Sequence, residues 1–390
     1  MVKKEVLMEI VEQKKECCGC HACYNTCPVQ AIEMRSDEEG FLYPVILQDK
    51  CIQCNRCKNI CPVLNKPANM PLQMAYGCYA NKKEEQMSSS SGGLFSVLAR
   101  KVLSENGLVC GAAYDKVQAV YHLIIDSEAD LYRLKETKYV QSQIGDAFKT
   151  IKNKLEQEKI VLFSGTPCQV AGLRKYLGKE YENLLCIDLI CHGVPSPEVW
   201  QRYKKEIANG KEIERVSFRN KNQGISPITI DYYLSDGNVI KESYADSVYM
   251  KGFIQNLYVR PSCFECKFKG TKRCSDLTLG DFWAVKEYYP DFDNGNGVSA
   301  VIVHSEKGRN WIEKIKSDVH ILEVTTKEVA CWNENLLVPA EMNQNRAEFF
   351  LQWNDQNLRE LITTFVQNPI QKEKITIHSQ LKNWIRKWSR

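Results

Sequence analysis

Two cysteine runs near the N-terminus obey one spacing rule, and that rule constrains this chain more than any other feature. Cys17, Cys20, Cys23 and Cys27, followed by Pro28, read C-x2-C-x2-C-x3-C-P. Cys51, Cys54, Cys57 and Cys61, followed by Pro62, repeat it at an offset of 34 residues, from Cys17 to Cys51. Three closely spaced thiolates suit one face of a cubane iron–sulfur cluster, and the fourth cysteine of such a run crosses to a second cluster. The crossed sets are Cys17, Cys20, Cys23 and Cys61 on one cluster, and Cys51, Cys54, Cys57 and Cys27 on the other.

A pair of zinc knuckles is the competing reading. Zinc sites usually show paired C-x2-C hooks with a longer gap, or a histidine in the ligand set. Here each run packs four cysteines into eleven residues, ends on proline and is duplicated. That is the ligand pattern of a bacterial-type two-cluster ferredoxin carrying [4Fe-4S] clusters. Cys18, beside a ligand, is surplus to it and reads as a bystander.

The other cysteines, eighteen in all, take their meaning from compartment. The opening MVKKEVLMEIVEQKK lacks the apolar core of a secretion signal, and no stretch approaches 18 consecutive apolar residues. A cytoplasmic chain is expected, with thiols kept reduced and clustered cysteines serving metal or redox chemistry. The net charge of +4 over 390 residues gives no concentrated basic face, so nucleic acid is not an expected partner.

A chain this long divides into more than one unit. Residues 1–68 hold the ferredoxin unit, with short strands at Ala31–Met34 and Gly40–Pro44 forming a hairpin between the runs. Asn65 to Pro71 is a linker by composition. From Met74 onward, strand-like runs alternate with helical ones. Ile160–Phe163 and Leu184–Ile190 are short continuous apolar runs, as expected of strands buried on both faces. This predicts a mixed α/β region with parallel strands, divided into 72–155 and 156–330. The segment 213–259 is richer in β-type runs. Residues 331–390 read as a helical extension. Its last stretch places Leu381, Trp384, Ile385 and Trp388 on one face among Lys382, Arg386, Lys387 and Arg390, a helix suited to packing on protein or lying on a membrane surface.

Cys263-x2-Cys266-x7-Cys274 offers three more thiolates. Cys191 is the candidate fourth, because it ends a buried strand, where ligands of α/β sheets collect. Spacing alone leaves zinc and iron both open here. Two turns are candidate anion sites: Ser91-Gly92-Gly93 before a helix, and Ser164-Gly165-Thr166-Pro167 between a strand and a helix running from Gln169 to Leu177. Neither is a dinucleotide or P-loop fingerprint. Beside iron–sulfur clusters, a flavin would suit such turns, since it exchanges one electron with a cluster and two with a substrate.

Six motifs in order, SSSSGG at 88–93, KYVQS at 138–142, GTPCQVAGL at 165–173, DLICHGVPSP at 188–197, the C-x2-C-x7-C run and GDFW at 280–283, resemble the beta subunit of coenzyme F-420-reducing hydrogenases and dehydrogenases. The likeness spans about 75 to 345. It implies an FAD protein with a [4Fe-4S] cluster on Cys191, Cys263, Cys266 and Cys274, three clusters in all with the ferredoxin pair. FAD is expected near Ser91, Gly92, Gly93, Lys138, Tyr139, Ser142, Thr166, Pro167, Cys168 and Gln169. His192 either contacts flavin or relays a proton as the catalytic group, or merely caps a strand end. Cys168, at a helix start, reads as a packing or flavin-contact residue. The expected activity is electron transfer between the clusters, flavin and an organic substrate, F-420 or another small molecule. An outside electron donor or acceptor protein, or a redox-complex subunit, completes the partners. The hydrogenase subunits lack the fused ferredoxin unit, which some dehydrogenase-type relatives carry, and the family includes reductases of other substrates.

Overall fold

The protein is described by a computed structural model over residues 10–221, 228–354 and 356–366. The cysteine runs flank an antiparallel hairpin, β1 (Ile32–Ser36) and β2 (Leu42–Ile46), in register from Ile32 opposite Ile46 to Ser36 opposite Leu42. A short helix sits in each run, Ala22–Thr26 and Arg56–Asn59. Both start from a residue in the left-handed region, His21 at φ 60° and Asn55 at φ 57°. These positions are again 34 apart, so the sequence repeat is also a repeat of backbone shape.

The body carries β3 (Met74–Ala80), β4 (Leu108–Tyr114), β5 (Val120–Ile125), β6 (Val161–Gly165), β7 (Leu184–Leu189), β8 (Ile213–Asn220), β9 (Thr229–Leu234), β10 (Val239–Ser243), β11 (Leu277–Asp281), β12 (Ser299–Val303) and β13 (Val319–Val324). Eight of these form one sheet in the order β13-β3-β12-β11-β7-β6-β4-β5. The four adjacent strands β11, β7, β6 and β4 run parallel, and the pairings outside them are antiparallel. Apolar residues fill the interior strands on both faces, as in β12, buried throughout. The runs read as buried strands, Ile160–Phe163 and Leu184–Ile190, are β6 and β7.

The helix Pro167–Leu177 returns the chain from β6 to β7. It begins two residues before the expected Gln169. Thr166 caps it, Pro167 occupies the first turn, and the Gln169 side chain closes a capping box. Between β7 and β11 the chain leaves the large sheet and builds a second one, β10-β9-β8, fully antiparallel. This is the β-rich stretch of the sequence. Its core, around Trp200, Phe218, Tyr232 and Tyr249, also takes in Phe349, Trp353, Leu358, Leu361 and Ile362. The helices after 331 therefore pack into the body as far as they are described. The amphipathic stretch carrying Leu381, Trp384, Ile385 and Trp388 lies outside the described residues. Among the described residues, no helix is long and apolar enough to cross a membrane.

The ferredoxin unit is packed on the body. Gly172 of the helix Pro167–Leu177 lies so close to Cys20 that a Cβ there would meet its Cβ and Sγ at 2.9 Å. Arg260, wholly buried, spans the junction: Nε donates to Cys17 O (2.8 Å), Nη2 to Leu42 O (3.0 Å) and Nη1 to Gln141 Oε1 (2.9 Å). Its guanidinium also lies 4.2 Å from the centre of the Tyr43 ring, a cation–π contact that helps keep the buried charge in place.

Candidate functional site

Cys17, Cys20, Cys23 and Cys61 line one cavity, walled by Ile10, Val11, Met34, Pro44 and Val63. This is the crossed set expected from spacing, with the fourth cysteine arriving from the second run. Burial pushes the Cys23 and Cys61 thiols up, and their neighbouring sulfurs push the same way. Such thiols stay protonated until a metal replaces the proton. In the second set, Cys57 faces Cys54 and Cys51. Backbone N–H groups reach two of the sulfurs, Gln53 N to Cys51 Sγ (3.4 Å) and Ala31 N to Cys27 Sγ (3.2 Å). Hydrogen bonds of this kind set the potential of a cluster. Among the described residues no three His, Cys, Asp or Glu side chains gather closely enough to hold a single metal ion. The first set surrounds a shared space.

The parallel strands β6, β7 and β11 deliver their carboxyl ends to one edge of the large sheet, where α/β folds place ligands. A second cavity opens there. Cys191 just past β7, Cys263, Cys266, Pro167, Cys168 and His192 line it, together with Lys269 and Arg273. Burial holds Cys191 up at about 12, and Lys269 and Arg273 pull the other way, as cations beside a thiolate site do. Cys274 is not on the wall of this cavity. Its buried thiol lies among Asp188, Arg174 and Arg273. The cavity shares Cys18 and Val63 with the cavity of the first ferredoxin set. Cys18 makes hydrogen-bonding contact with both Cys168 and Cys20.

The turns expected to hold FAD come together, mainly by binding one another. Gln169 Nε2 donates to Ser142 O (3.2 Å) and Oγ (3.1 Å), while its Oε1 accepts from Thr166 N (2.9 Å). Thr137 N donates to Ser90 Oγ (2.7 Å), tying the KYVQS segment to the SSSSGG turn. Ser91 Oγ donates to Val298 O, and Gly92 N to Ser299 Oγ. A Cβ on Gly92 would meet Cys78 O at 2.4 Å and Ser299 N at 2.7 Å, so the missing side chain serves packing. Gly93 starts the helix Leu94–Ser104 at φ 90°. Lys138 Nζ donates to the carbonyls of Arg133, Lys135 and Glu136. The Tyr139 ring packs among Phe218, Tyr244 and Phe253. Of these ten residues, Pro167 and Cys168 line a cavity; the others spend their polar atoms within the protein.

Residues 158–328 match the profile of the C terminus of the coenzyme F-420 hydrogenase/dehydrogenase beta subunit, and residues 16–65 that of a 4Fe-4S dicluster domain. A subunit of the F(420)H(2) dehydrogenase of Methanosarcina mazei is 23% identical over 333 residues, covering 80% of this chain and 86% of the relative. A chain in the structure of the F-420-reducing [NiFe] hydrogenase complex of Methanosarcina barkeri is 15% identical, with a TM-score of 0.45 over 69% of this chain and 88% of that one. This chain resembles the F-420 hydrogenase/dehydrogenase beta subunits, with a ferredoxin-type domain in front. The matches are to an oxidoreductase subunit and to an iron–sulfur domain.

Within this beta-subunit-like chain, His192 is clamped on both sides. Nε2 lies 2.6 Å from Asn256 Oδ1, and Nδ1 lies 3.1 Å from Asn335 Oδ1. Asn256 Nδ2 donates to Glu341 O (2.9 Å), which fixes its oxygen toward the ring. Burial lowers the affinity of His192 for a second proton. A ring held this firmly is well placed to orient the Cys191 turn.

Sequence reading missed Arg260, Lys269 and the contact between Cys18 and Cys168. No local pattern marks one buried arginine among 52 Lys and Arg residues. The Cys18–Cys168 contact joins residues 150 positions apart, from 18 to 168.

Proposed function

We propose that this chain is an electron-transferring iron–sulfur oxidoreductase subunit with three [4Fe-4S] clusters. The first is bound by Cys17, Cys20, Cys23 and Cys61, the second by Cys51, Cys54, Cys57 and Cys27. The third lies at the carboxyl edge of the large sheet on Cys191, Cys263, Cys266 and one further thiol. One observation carries the proposal: two cysteine-lined cavities share a wall at Cys18 and Val63. Clusters so placed would pass single electrons through the protein interior without a mobile carrier.

FAD and an organic substrate, F-420 or another small molecule, complete this reading. They rest on the resemblance, because eight of the ten expected flavin residues are engaged with the protein itself. Bound flavin would supply the exchange between one-electron and two-electron chemistry. The chain's own contribution at that edge is to hold Thr166, Gln169 and Ser142 in one hydrogen-bonded frame. The relative named as part of a dehydrogenase supports a partner within a redox complex.

Anaerobically reconstituted protein is expected to carry about twelve irons and to bind FAD stoichiometrically. Iron without flavin would leave an electron-transfer subunit whose substrate chemistry occurs in a partner. Zinc without iron overturns the proposal.

A further inference from the structure

The two cysteine runs are alike in spacing and backbone and opposite in surroundings. Left-handed residues recur at matching positions, Gly19 (φ 67°) with Gln53 (φ 54°) and His21 (φ 60°) with Asn55 (φ 57°). The first run faces the body. Cys18 is 8% exposed and Ala22 0%, and a Cβ on Gly19 would meet the Arg260 guanidinium and the Gln141 amide at 2.9 Å. The short helix Ala22–Thr26 packs on the helix Pro167–Leu177. In the second run the matching positions are open. Ile52 stands where Cys18 does and is 61% exposed, Gln53 stands for Gly19, Cys54 is exposed, and Arg56 stands for Ala22. The face with which one half meets the body is free in the other half, and it carries longer side chains there.

We propose that this free face, centred on Ile52 and Cys54, is the docking surface for a small acidic one-electron carrier protein. The inference rests on the reading of a second cluster on Cys51, Cys54, Cys57 and Cys27, and it names the outside partner of that reading.

Charge selects the partner. Between Gln48 and Pro71 the chain has four cations, Lys50, Arg56, Lys58 and Lys66, and one anion, Asp49. All five are exposed, and among the described residues none of the four cations meets a carboxylate. Unpaired cations around an exposed apolar side chain attract an acidic surface and speed the encounter. An exposed ligand thiol brings the edge of its cluster to the surface, so an electron crosses without the partner entering the protein. One electron moves per encounter: the carrier is oxidised by one electron and the second cluster is reduced by one, with no bond made or broken. A small patch fits a partner that must leave after each transfer.

The test mixes the full chain, reconstituted anaerobically, with a reduced acidic two-cluster ferredoxin as the probe in a stopped-flow instrument. In wild type the second-order rate of cluster reduction is expected to fall as salt rises. Arg56→Glu with Lys58→Glu is expected to slow it at least about tenfold at low salt, with iron content and both ferredoxin-type electron paramagnetic resonance signals kept. Lys116→Glu with Lys205→Glu, the same change of net charge at exposed positions of the body, is expected to keep the wild-type rate. Should the first pair fail to load iron, Lys50→Glu with Lys66→Glu, outside the cysteine run, replaces it with the same expectation. An unchanged rate in the iron-loaded variant, an equal loss in the body pair, or a wild-type chain that accepts no electron from the ferredoxin overturns the proposal. So does binding to phosphatidylglycerol vesicles that charge reversal abolishes while the ferredoxin rate stays the same. A Cys54→Ala chain that keeps all its iron overturns the second cluster itself, a separate result.

Discussion

His122 shows how a single buried group ties the turns at Ser142 and Ser164 together. Its Nδ1 meets Ser142 Oγ (3.0 Å), its Nε2 meets Ser164 O (3.0 Å), and its ring stacks on Phe163 at 5.3 Å between centres. Burial lowers its pKa to about 4, outweighing the carbonyl of Ser164, which favours the charged form. An unfolded histidine binds a proton below about 6.5. Between about 6.5 and 4 the unfolded chain therefore holds more protons at this position, and stability falls as the pH falls. The contribution at stake is up to roughly 3 kcal/mol. Thermal melts from pH 7 to 5 should show a falling midpoint, and His122→Asn should flatten that slope from a lower start. At the same scale, Arg260→Met leaves Cys17 O, Leu42 O and Gln141 Oε1 buried without their donor. Each orphan acceptor costs about 1–3 kcal/mol. Urea titration should show the loss, and limited proteolysis should cut between residues 63 and 74 where wild type resists.

Elements were legible in proportion to how local their signals are. The ferredoxin runs, the β1–β2 hairpin and the buried strands β6 and β7 each announce themselves within a dozen residues, through ligand spacing or an unbroken apolar run. The antiparallel sheet β10-β9-β8 was visible as a β-rich stretch; its separation from the main sheet was not, because strand partners are chosen by tertiary packing. The candidate site was legible as a set of cysteines and only partly as a ligand set. Cys191, Cys263 and Cys266 line one cavity with Cys168, which read as a packing or flavin-contact residue, and Cys274 lies off that wall. The SGG turn illustrates a further limit: a glycine needed for close approach reads the same whether phosphate or the protein's own backbone approaches. The helix Pro167–Leu177 yields a prediction at this scale. Gly172→Val would drive a side chain into Cys20, and overpacking of this kind costs about 1–3 kcal/mol. The first cluster should load less completely, which iron analysis and its electron paramagnetic resonance signal would register, while Gly111→Ala, whose Cβ would meet nothing nearer than 3.7 Å, should keep its iron.

Across the whole molecule, the junction between the ferredoxin unit and the body holds a buried cation, a glycine contact and a thiol contact, all within reach of the first cysteine set. The two units are fixed to one another by side chains that also surround the redox groups. Unlinking them should therefore disturb electron flow before it disturbs either unit: in the Arg260→Met chain, both ferredoxin signals should survive while reduction of the third cluster slows in rapid-mixing measurements. The shared wall at Cys18 and Val63 has a kinetic meaning as well. A separate ferredoxin must find its acceptor by diffusion, at a rate that rises with its concentration and, where charges steer the encounter, falls with added salt. With clusters in both cavities, donor and acceptor would never part, so the internal step would be first-order, indifferent to dilution, and would leave the encounter with an outside partner as the stage that ionic strength controls.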